Sequence, residues 1–146
     1  MASPEDRLRE LGHELPPVSQ PAGSYVPATR AGTLVFTAGQ VPLVGGELAK
    51  TGKVGDALTV EEAQEAARVC ALNALAAAAA EAGGLNNISR IVKVTGFVAS
   101  APDFNDQPQV INGASELIGE VFGDAGLHAP VEVELVVELG GPSQPS

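Results

Sequence analysis

The sequence of 146 residues is short of aromatic and sulfur-containing side chains: it has no tryptophan, one tyrosine, one methionine and one cysteine. The single cysteine, Cys70, cannot form a disulfide within the chain, and its alanine-rich surroundings predict a small buried side chain rather than a nucleophile. With so few rings, the core must consist of Ala, Val and Leu packed closely between helices and a sheet, or shared with other subunits. A chain of this length with 45% hydrophobic residues is typical of one globular domain.

Basic residues are also scarce: 8 Lys and Arg stand against 18 Asp and Glu, the net charge is −10, and no basic residue follows Lys93. This charge repels phosphate backbones and argues against nucleic acid as a general partner. The N-terminus lacks the apolar core of a signal peptide, and no apolar run reaches membrane-spanning length, so we expect a soluble, cytoplasmic protein with no membrane partner. His13, His128 and Cys70 lack ligand spacing, which predicts no metal site.

The N-terminal part of the chain divides into an arm and the first β signals. Residues 1–23 form the predicted arm, in which EDRLRELG gives a short helix ended by Gly12, followed by a Pro-rich connector. From Ser24 onwards, two short β-rich runs around Ala31-Gly32 predict a hairpin. We therefore assign residues 24–139 to the globular domain and residues 140–146 to a disordered tail.

Two helices follow from local signals. Thr59 and Glu62 have the spacing of a capping box, and small residues at helical spacing extend that helix to about Glu81, before Gly83-Gly84. Asp106 predicts the start of a second helix that runs through Phe122.

Strand signals complete the fold class. Residues 88–100 and the PVEVELVVEL run alternate as strands do, which gives the order β-β-α-β-α-β. This order predicts an α+β fold with two helices on one face of a sheet. Because strand alternation offers apolar groups to both faces, we expect subunits to pack sheet against sheet or around a central axis.

Four segments carry a resemblance to a known family: GSYVP, FTAGQVP at residues 36–42, VKVTGFVAS, and VEVE near the end. In their order and spacing they resemble the RidA/YjgF family of imine and enamine deaminases, and the match covers the chain from Tyr25 to Leu139. The resemblance implies a chorismate-mutase-like fold, a homotrimer with pockets at its subunit interfaces, and no cofactor. It also implies hydrolysis of reactive 2-imino or 2-enamino acids to 2-oxo acids and ammonia.

The resemblance assigns roles to particular residues. Glu132, the first acid of VEVE, matches the carboxylate that positions or activates water, and Tyr25 matches the pocket tyrosine. His128 is a candidate acid near the pocket. The other expected substrate-binding residues are Ala38, Gly39 and Gln40 of the lining loop and Asn112 of VINGAS. Family members often have Ser where Ala38 stands, so a hydroxyl contact there is lost or replaced by backbone.

Each assignment has an ordinary alternative. Glu132 alternates with valines as on any half-exposed strand, and Tyr25 could equally be a packing residue with its hydroxyl in water. Asn112 could bond locally within a helix, and His128 could lie in an exposed loop. Gly39 fits a turn with positive φ under either interpretation.

The sequence departs from the family pattern after His128-Ala129. Family members continue there into Arg-Ser, a strand and a Leu-Pro turn before VEVE, whereas here Pro130 follows directly, so the arginine that grips the substrate carboxylate is missing. Either the protein lacks this segment, or the sequence omits it. Loss of an interior strand would leave backbone groups unpaired, which favours omission. An intact mass of 14.7 kDa would indicate a true deletion.

Three functions therefore compete. Imine and enamine deamination is the first. The second is a non-catalytic trimer of the same fold that binds small metabolites or acts as a chaperone, and it becomes the better hypothesis if the arginine is absent, unless Arg30 substitutes. The third is endoribonuclease activity, against which the acidic composition argues.

Overall fold

The computed structural model describes residues 2–18, 26–45, 47–48, 51–122, 127–128 and 134–140. The elements, in chain order, are α1 (Pro4–Glu10), β1 (Ala28–Ala31), β2 (Leu34–Thr37), β3 (Leu43–Val44), β4 (Glu47–Leu48), α2 (Val60–Ala82), a 3₁₀ turn (Leu85–Asn87), β5 (Ile88–Thr95), α3 (Gln107–Phe122), β6 (Leu127–His128) and β7 (Glu134–Leu139). The predicted α+β class and the predicted hairpin and helices are confirmed.

Among the described residues, five strands form one sheet in the order β1-β2-β7-β5-β6. In this part of the chain only β6 is parallel to its neighbour, and β3 and β4 form a separate hairpin. Helices α2 and α3 pack against each other and cover one face of the sheet, where Val35 and Val137 face each other and are fully buried. The opposite face, which we call the open face, carries Leu34, Phe36 and Val136. Phe36 remains 41% exposed, so the helices cover only one side of the sheet.

Helix α2 is capped as the local pattern predicts. The Thr59 hydroxyl accepts a hydrogen bond from Glu62 N at 3.1 Å, the Glu62 carboxylate accepts one from Thr59 N at 3.3 Å, and Gly83 ends the helix with φ of 82°. Its alanine-rich sequence lets neighbouring elements approach on several sides. Cys70 is fully buried among them, which confirms the predicted role of this side chain.

Helix α1 packs onto the domain. Its capping box joins Ser3 and Asp6, and the side-chain hydrogen bond with Ser3 holds the pKa of Asp6 below its usual range. Leu8 is buried in the main core, and Arg7 Nη1 donates to Val121 O at 3.2 Å, at the carboxyl end of α3. The predicted N-terminal helix is therefore confirmed, and its apolar side contributes to the core.

Strand β5 is shorter than predicted, since it spans Ile88–Thr95 rather than 88–100. Beyond it the chain pairs elsewhere: Val54 N donates to Ala99 O at 2.9 Å, and Ala101 N donates to Val54 O at 2.9 Å. The apolar alternation continues past Thr95 because these residues pack against the loop before α2, which a strand pattern alone does not distinguish from sheet pairing.

Several sequence predictions lie outside the described residues. They concern Tyr25, Glu132, the start of the PVEVELVVEL strand, and the tail apart from Gly140. Within the described ranges, no helix combines the length and the apolar character needed to cross a membrane.

Candidate functional site

Three strand ends meet at one end of the sheet. Thr95, the last residue of β5, pairs with Glu134, the first residue of β7, and Phe36 near the end of β2 pairs with Val136. The backbone of His128 pairs with Thr95 on the other side of β5. This register brings the acidic start of β7 beside the segment that follows β2.

The loop Ala38–Gln40 continues directly from β2. Ala38 N donates to Pro27 O at 2.8 Å, which extends the pairing of the β1-β2 hairpin. Gln40 is buried, and its side chain donates to Ala38 O at 3.2 Å, so the loop is stabilised by its own side chain. Gly39 does not adopt the predicted positive φ, and that prediction is wrong, because this loop prolongs the strand and does not reverse the chain.

A hydrogen bond fastens this loop to the start of β7. Thr37 Oγ1 accepts from Leu135 N at 2.7 Å in a buried position, one residue from Ala38 and one from Glu134. Sequence reasoning missed Thr37. A detectable signal was present, because Thr37 shares the inward-facing parity of Val35 on β2 and is therefore a polar residue directed towards the core.

The residues that the sequence predicts at the site do not all lie together in the structure. Ala38, Gly39 and Gln40 lie together at the strand ends, whereas Asn112 lies on an exposed position of α3. Tyr25 and Glu132 belong to the part of the chain that is not described, so their roles stay predictions.

Basic groups near the strand ends are few. Lys93 pairs with Val136 on the open face, and Glu134 lies two residues from Val136 along β7. Diagonal neighbours of this kind are roughly 7–8 Å apart, within reach of a long side chain. Arg90 instead binds Glu138 at 3.2 Å. Arg30 pairs with Val35, towards the turn of the β1-β2 hairpin, and donates to Gly32 O at 2.9 Å. Within one chain, Arg30 thus lies towards the other end of the strand from Ala38.

An apolar cavity begins next to the loop. It has a volume of about 250 Å³ and is lined by Val41, Pro42, Leu48 and Val98 together with residues near the start of α2. Its walls suit a small apolar group rather than a charged one. Among the described residues, no group of three or more His, Cys, Asp or Glu side chains could hold a metal ion.

Comparison with known proteins identifies similar sequences and folds. Residues 5–137 match the family described as "YjgF/chorismate_mutase-like, putative endoribonuclease". The chain is 41% identical to Protein TCP17 of Trypanosoma cruzi, and the alignment covers 90% of this chain and 91% of that protein. That alignment spans 148 residues, more than the whole of this chain, so TCP17 carries residues that this chain lacks.

Solved structures share the fold. Atu1372 of Agrobacterium tumefaciens, a protein of unknown function, is 41% identical with a TM-score of 0.82, and the match covers 94% of each chain. A "putative endoribonuclease" from Shewanella oneidensis is 33% identical with a TM-score of 0.87, over 94% of this chain and all of that one. Escherichia coli TdcF, solved with bound serine, is 22% identical with a TM-score of 0.54, over 87% and 94% of the two chains. This last match supports the fold alone.

Proposed function

Because this chain belongs to the YjgF/chorismate-mutase-like family, we propose that it hydrolyses reactive 2-imino and 2-enamino acids to 2-oxo acids and ammonia. The observation that carries the proposal is the meeting of the loop Ala38–Gln40 with the acidic start of β7 at one end of the sheet. A carboxylate beside a loop of backbone polar groups can orient a water molecule and a planar C=N group together.

The proposed reaction needs one water and no cofactor. An enamine first gains a proton at carbon 3 and loses one from nitrogen, which gives the imine. Glu132 accepts a proton from water as the water oxygen attacks the C=N carbon, and it passes this proton to the substrate nitrogen, which gives an adduct with one hydroxyl and one amino group. The hydroxyl proton then moves to this nitrogen through the same carboxylate, the C–N bond breaks, ammonia leaves and the C=O bond of the 2-oxo acid forms. General base assistance of this kind contributes about 10²–10⁴-fold to the rate. Tyr25, His128, Asn112 and the loop after β2 are the proposed substrate contacts.

The substrate carboxylate needs a positive partner, and the sequence has no basic residue after Lys93. We assign this role to Lys93, which shares the open face with the start of β7. A lysine ammonium is a point charge without the paired donors of arginine, so we expect a high KM. Replacing Lys93 with Met should raise KM more than it lowers kcat.

The open face supports the proposal of a homotrimer. Phe36, on the open face, is 41% exposed, and Val92, at the irregular part of β5, is 42% exposed. Exposed apolar side chains on a sheet favour contacts between subunits. Light scattering should give three times the mass of the chain. A Phe36→Glu variant should shift the protein towards smaller species, whereas Phe104→Leu, away from this face, should not.

Activity is tested with 2-aminoacrylate generated in situ. The protein should accelerate ammonia release and 2-oxo acid formation over buffer, and Glu132→Gln should abolish the acceleration while mass and thermal stability stay unchanged. Glu116→Gln, an equal charge change at an exposed position of α3, should retain activity. Absence of acceleration by the wild-type protein would refute the enzymatic proposal.

A second candidate is a trimer that binds small carboxylate-bearing metabolites without turnover. The absence of any arginine after Arg90 favours it. It predicts that such ligands raise the Tm while no product forms. Endoribonuclease activity is the weaker candidate because the net charge of −10 offers no basic track, and failure to bind single-stranded RNA at low salt would remove it.

A further inference from the structure

A second cavity, of about 650 Å³, lies between the N-terminal segment, β3 and α2. None of the strand-end residues that the structure describes at the candidate site line it. Its volume falls within the range of roughly 300–1,000 Å³ that is common for small-molecule sites. It is therefore large enough to hold a ligand independently of the proposed imine site.

The walls of this cavity are apolar. Helix α2 contributes Val69 and Leu72, which are only half-buried although most of the helix around them is covered. The N-terminal segment contributes Pro16 and Pro17 on another side, and β3 contributes Val44, which is exposed. Because proline has no N–H, this part of the N-terminal wall cannot donate backbone hydrogen bonds.

One buried polar side chain reaches the cavity. Asn73 is 1% exposed, and its Nδ2 donates to Val41 O at 3.0 Å and to Leu43 O at 3.1 Å, which fixes the orientation of the amide. Both amide hydrogens are thereby used. Among the described residues, no hydrogen-bond donor to Asn73 Oδ1 is present. Because Asn73 lines the cavity, the small uncovered part of its side chain faces this space.

The charge at this cavity is of one sign. Glu14 contributes an exposed carboxylate to the lining, and no Lys, Arg or His belongs to the lining residues that the structure describes. The whole chain carries a net charge of −10. A ligand here meets hydrogen-bond acceptors, a negative rim and apolar walls, so an anion is repelled and a donor-bearing cation is attracted.

We propose that this cavity binds a small hydrophobic amine in its protonated form. The apolar part of the molecule packs against Val69, Leu72 and Val44, and the ammonium group donates hydrogen bonds to Asn73 Oδ1 and the Glu14 carboxylate. Such a ligand connects the N-terminal segment to α2 and the β3-β4 hairpin. Its binding consequently stabilises the folded protein against heat, by an amount that rises with the logarithm of ligand concentration above the Kd.

The test uses three six-carbon probes that differ only in the polar group: hexylamine, hexan-1-ol and hexanoate. Each is titrated into the full-length protein at pH 7 by calorimetry, with thermal unfolding as a second measurement. We expect hexylamine to bind at least tenfold more tightly than hexan-1-ol, hexanoate not to bind, and the hexylamine affinity to fall as salt is raised.

Two variants and their matched controls locate the site. Glu14→Gln should weaken hexylamine binding about three- to tenfold, whereas Glu10→Gln, an equal charge change outside the cavity, should leave it unaltered. Val69→Phe should place a larger side chain on the apolar wall where the alkyl chain packs and weaken hexylamine binding, whereas Val26→Phe, the same change at an exposed valine, should not. Each variant is first confirmed to unfold cooperatively without ligand.

The outcome separates this proposal from the deaminase proposal, because binding is measured without turnover. Equal affinity for hexylamine and hexan-1-ol would overturn the amine class, and so would binding of hexanoate. Hexylamine affinity that is unaffected by Val69→Phe would overturn the location. Loss of deaminase activity alone would leave the amine site standing.

Discussion

The crossing of α2 and α3 depends on one glycine. A Cβ at Gly113 on α3 would lie 2.1 Å from Gln64 O and 2.8 Å from Gln64 C on α2. A Cβ at Gly119, on the same helix, would meet no atom within 4 Å. The same substitution to alanine should therefore have opposite effects at these two positions.

The magnitudes follow from two opposing terms. Alanine is better than glycine in a helix interior by about 0.8–1 kcal/mol, which stabilises both variants. At Gly113 the obstacle is a backbone oxygen that no rotamer change can move, so the helices must separate by roughly 1 Å or more, and overpacking of this kind costs about 1–3 kcal/mol. We expect Gly113→Ala to be destabilised by up to about 2 kcal/mol and Gly119→Ala to be stabilised by about 0.8–1 kcal/mol, so the two variants differ by the overpacking cost of about 1–3 kcal/mol.

The two variants are compared with the wild-type protein by urea and thermal unfolding at one protomer concentration, since any oligomer makes the Tm depend on concentration. For a chain of this size, about 1 kcal/mol corresponds to roughly 2–4 °C, so the two Tm values should differ by about 2–12 °C. Unchanged m values of the urea transitions would show that the variants differ in their free energy of unfolding and not in the compactness of the unfolded state.

The result that would refute this reasoning is equal stability of the two variants. If Gly113→Ala were as stable as Gly119→Ala, the helices could separate without cost, and close backbone contact would not be what sets the crossing of α2 and α3.

Four further predictions concern the rest of the chain. Thr37→Val should cost about 1–3 kcal/mol because it leaves Leu135 N buried without an acceptor, and Thr37→Ser should recover most of the loss in urea unfolding. Because the pKa of Asp6 is lowered in the folded protein, the ionised carboxylate contributes to stability above the ordinary aspartate pKa, and this contribution is lost as the pH falls through the lowered pKa. The stability difference between the wild-type protein and Asp6→Asn should therefore vanish below the lowered pKa. A difference that persists at that pH would contradict an origin in the charge of Asp6. Lys93→Met should raise KM for an imino acid, whereas Lys53→Met, at an exposed loop position, should not. An equal rise of KM in both variants would show that Lys93 does not bind the substrate carboxylate. Mass spectrometry of the intact protein decides between the two explanations of the missing segment: 14.7 kDa indicates a true deletion, and a clearly heavier species indicates that the sequence omits the strand that carries the arginine.

Local signals were sufficient for the helices. The capping box at the start of α2 joins residues three positions apart, and the glycine at its end bonds a carbonyl four positions before it. Both features are therefore specified by neighbouring residues. The hairpin turn at Gly32, with φ of 64°, is equally local. These predictions are confirmed because the caps and the turn form from neighbouring residues and need no contact with a distant part of the chain.

The candidate site was predicted only in part. The resemblance pointed to the loop after β2 and to the acidic strand, and pairing of Thr95 with Glu134 brings these two together. The hydrogen bond between Thr37 and Leu135 joins residues 98 positions apart, which no local pattern specifies. The hydrogen bonds from Asn73 Nδ2 to Val41 O and Leu43 O were missed for the same reason, since they join residues 32 and 30 positions apart, whereas an asparagine inside a helix usually indicates local bonding.

By itself, the sequence determined the class of fold, the helix ends, the excess of negative charge and the family, because each depends on composition, neighbouring residues or a linear match. Only the tertiary structure decided where β5 ends, which glycine lies against another backbone, and which polar atoms face a cavity. Those features depend on contacts between segments far apart in the chain, and their free energy exists only once both segments are packed together.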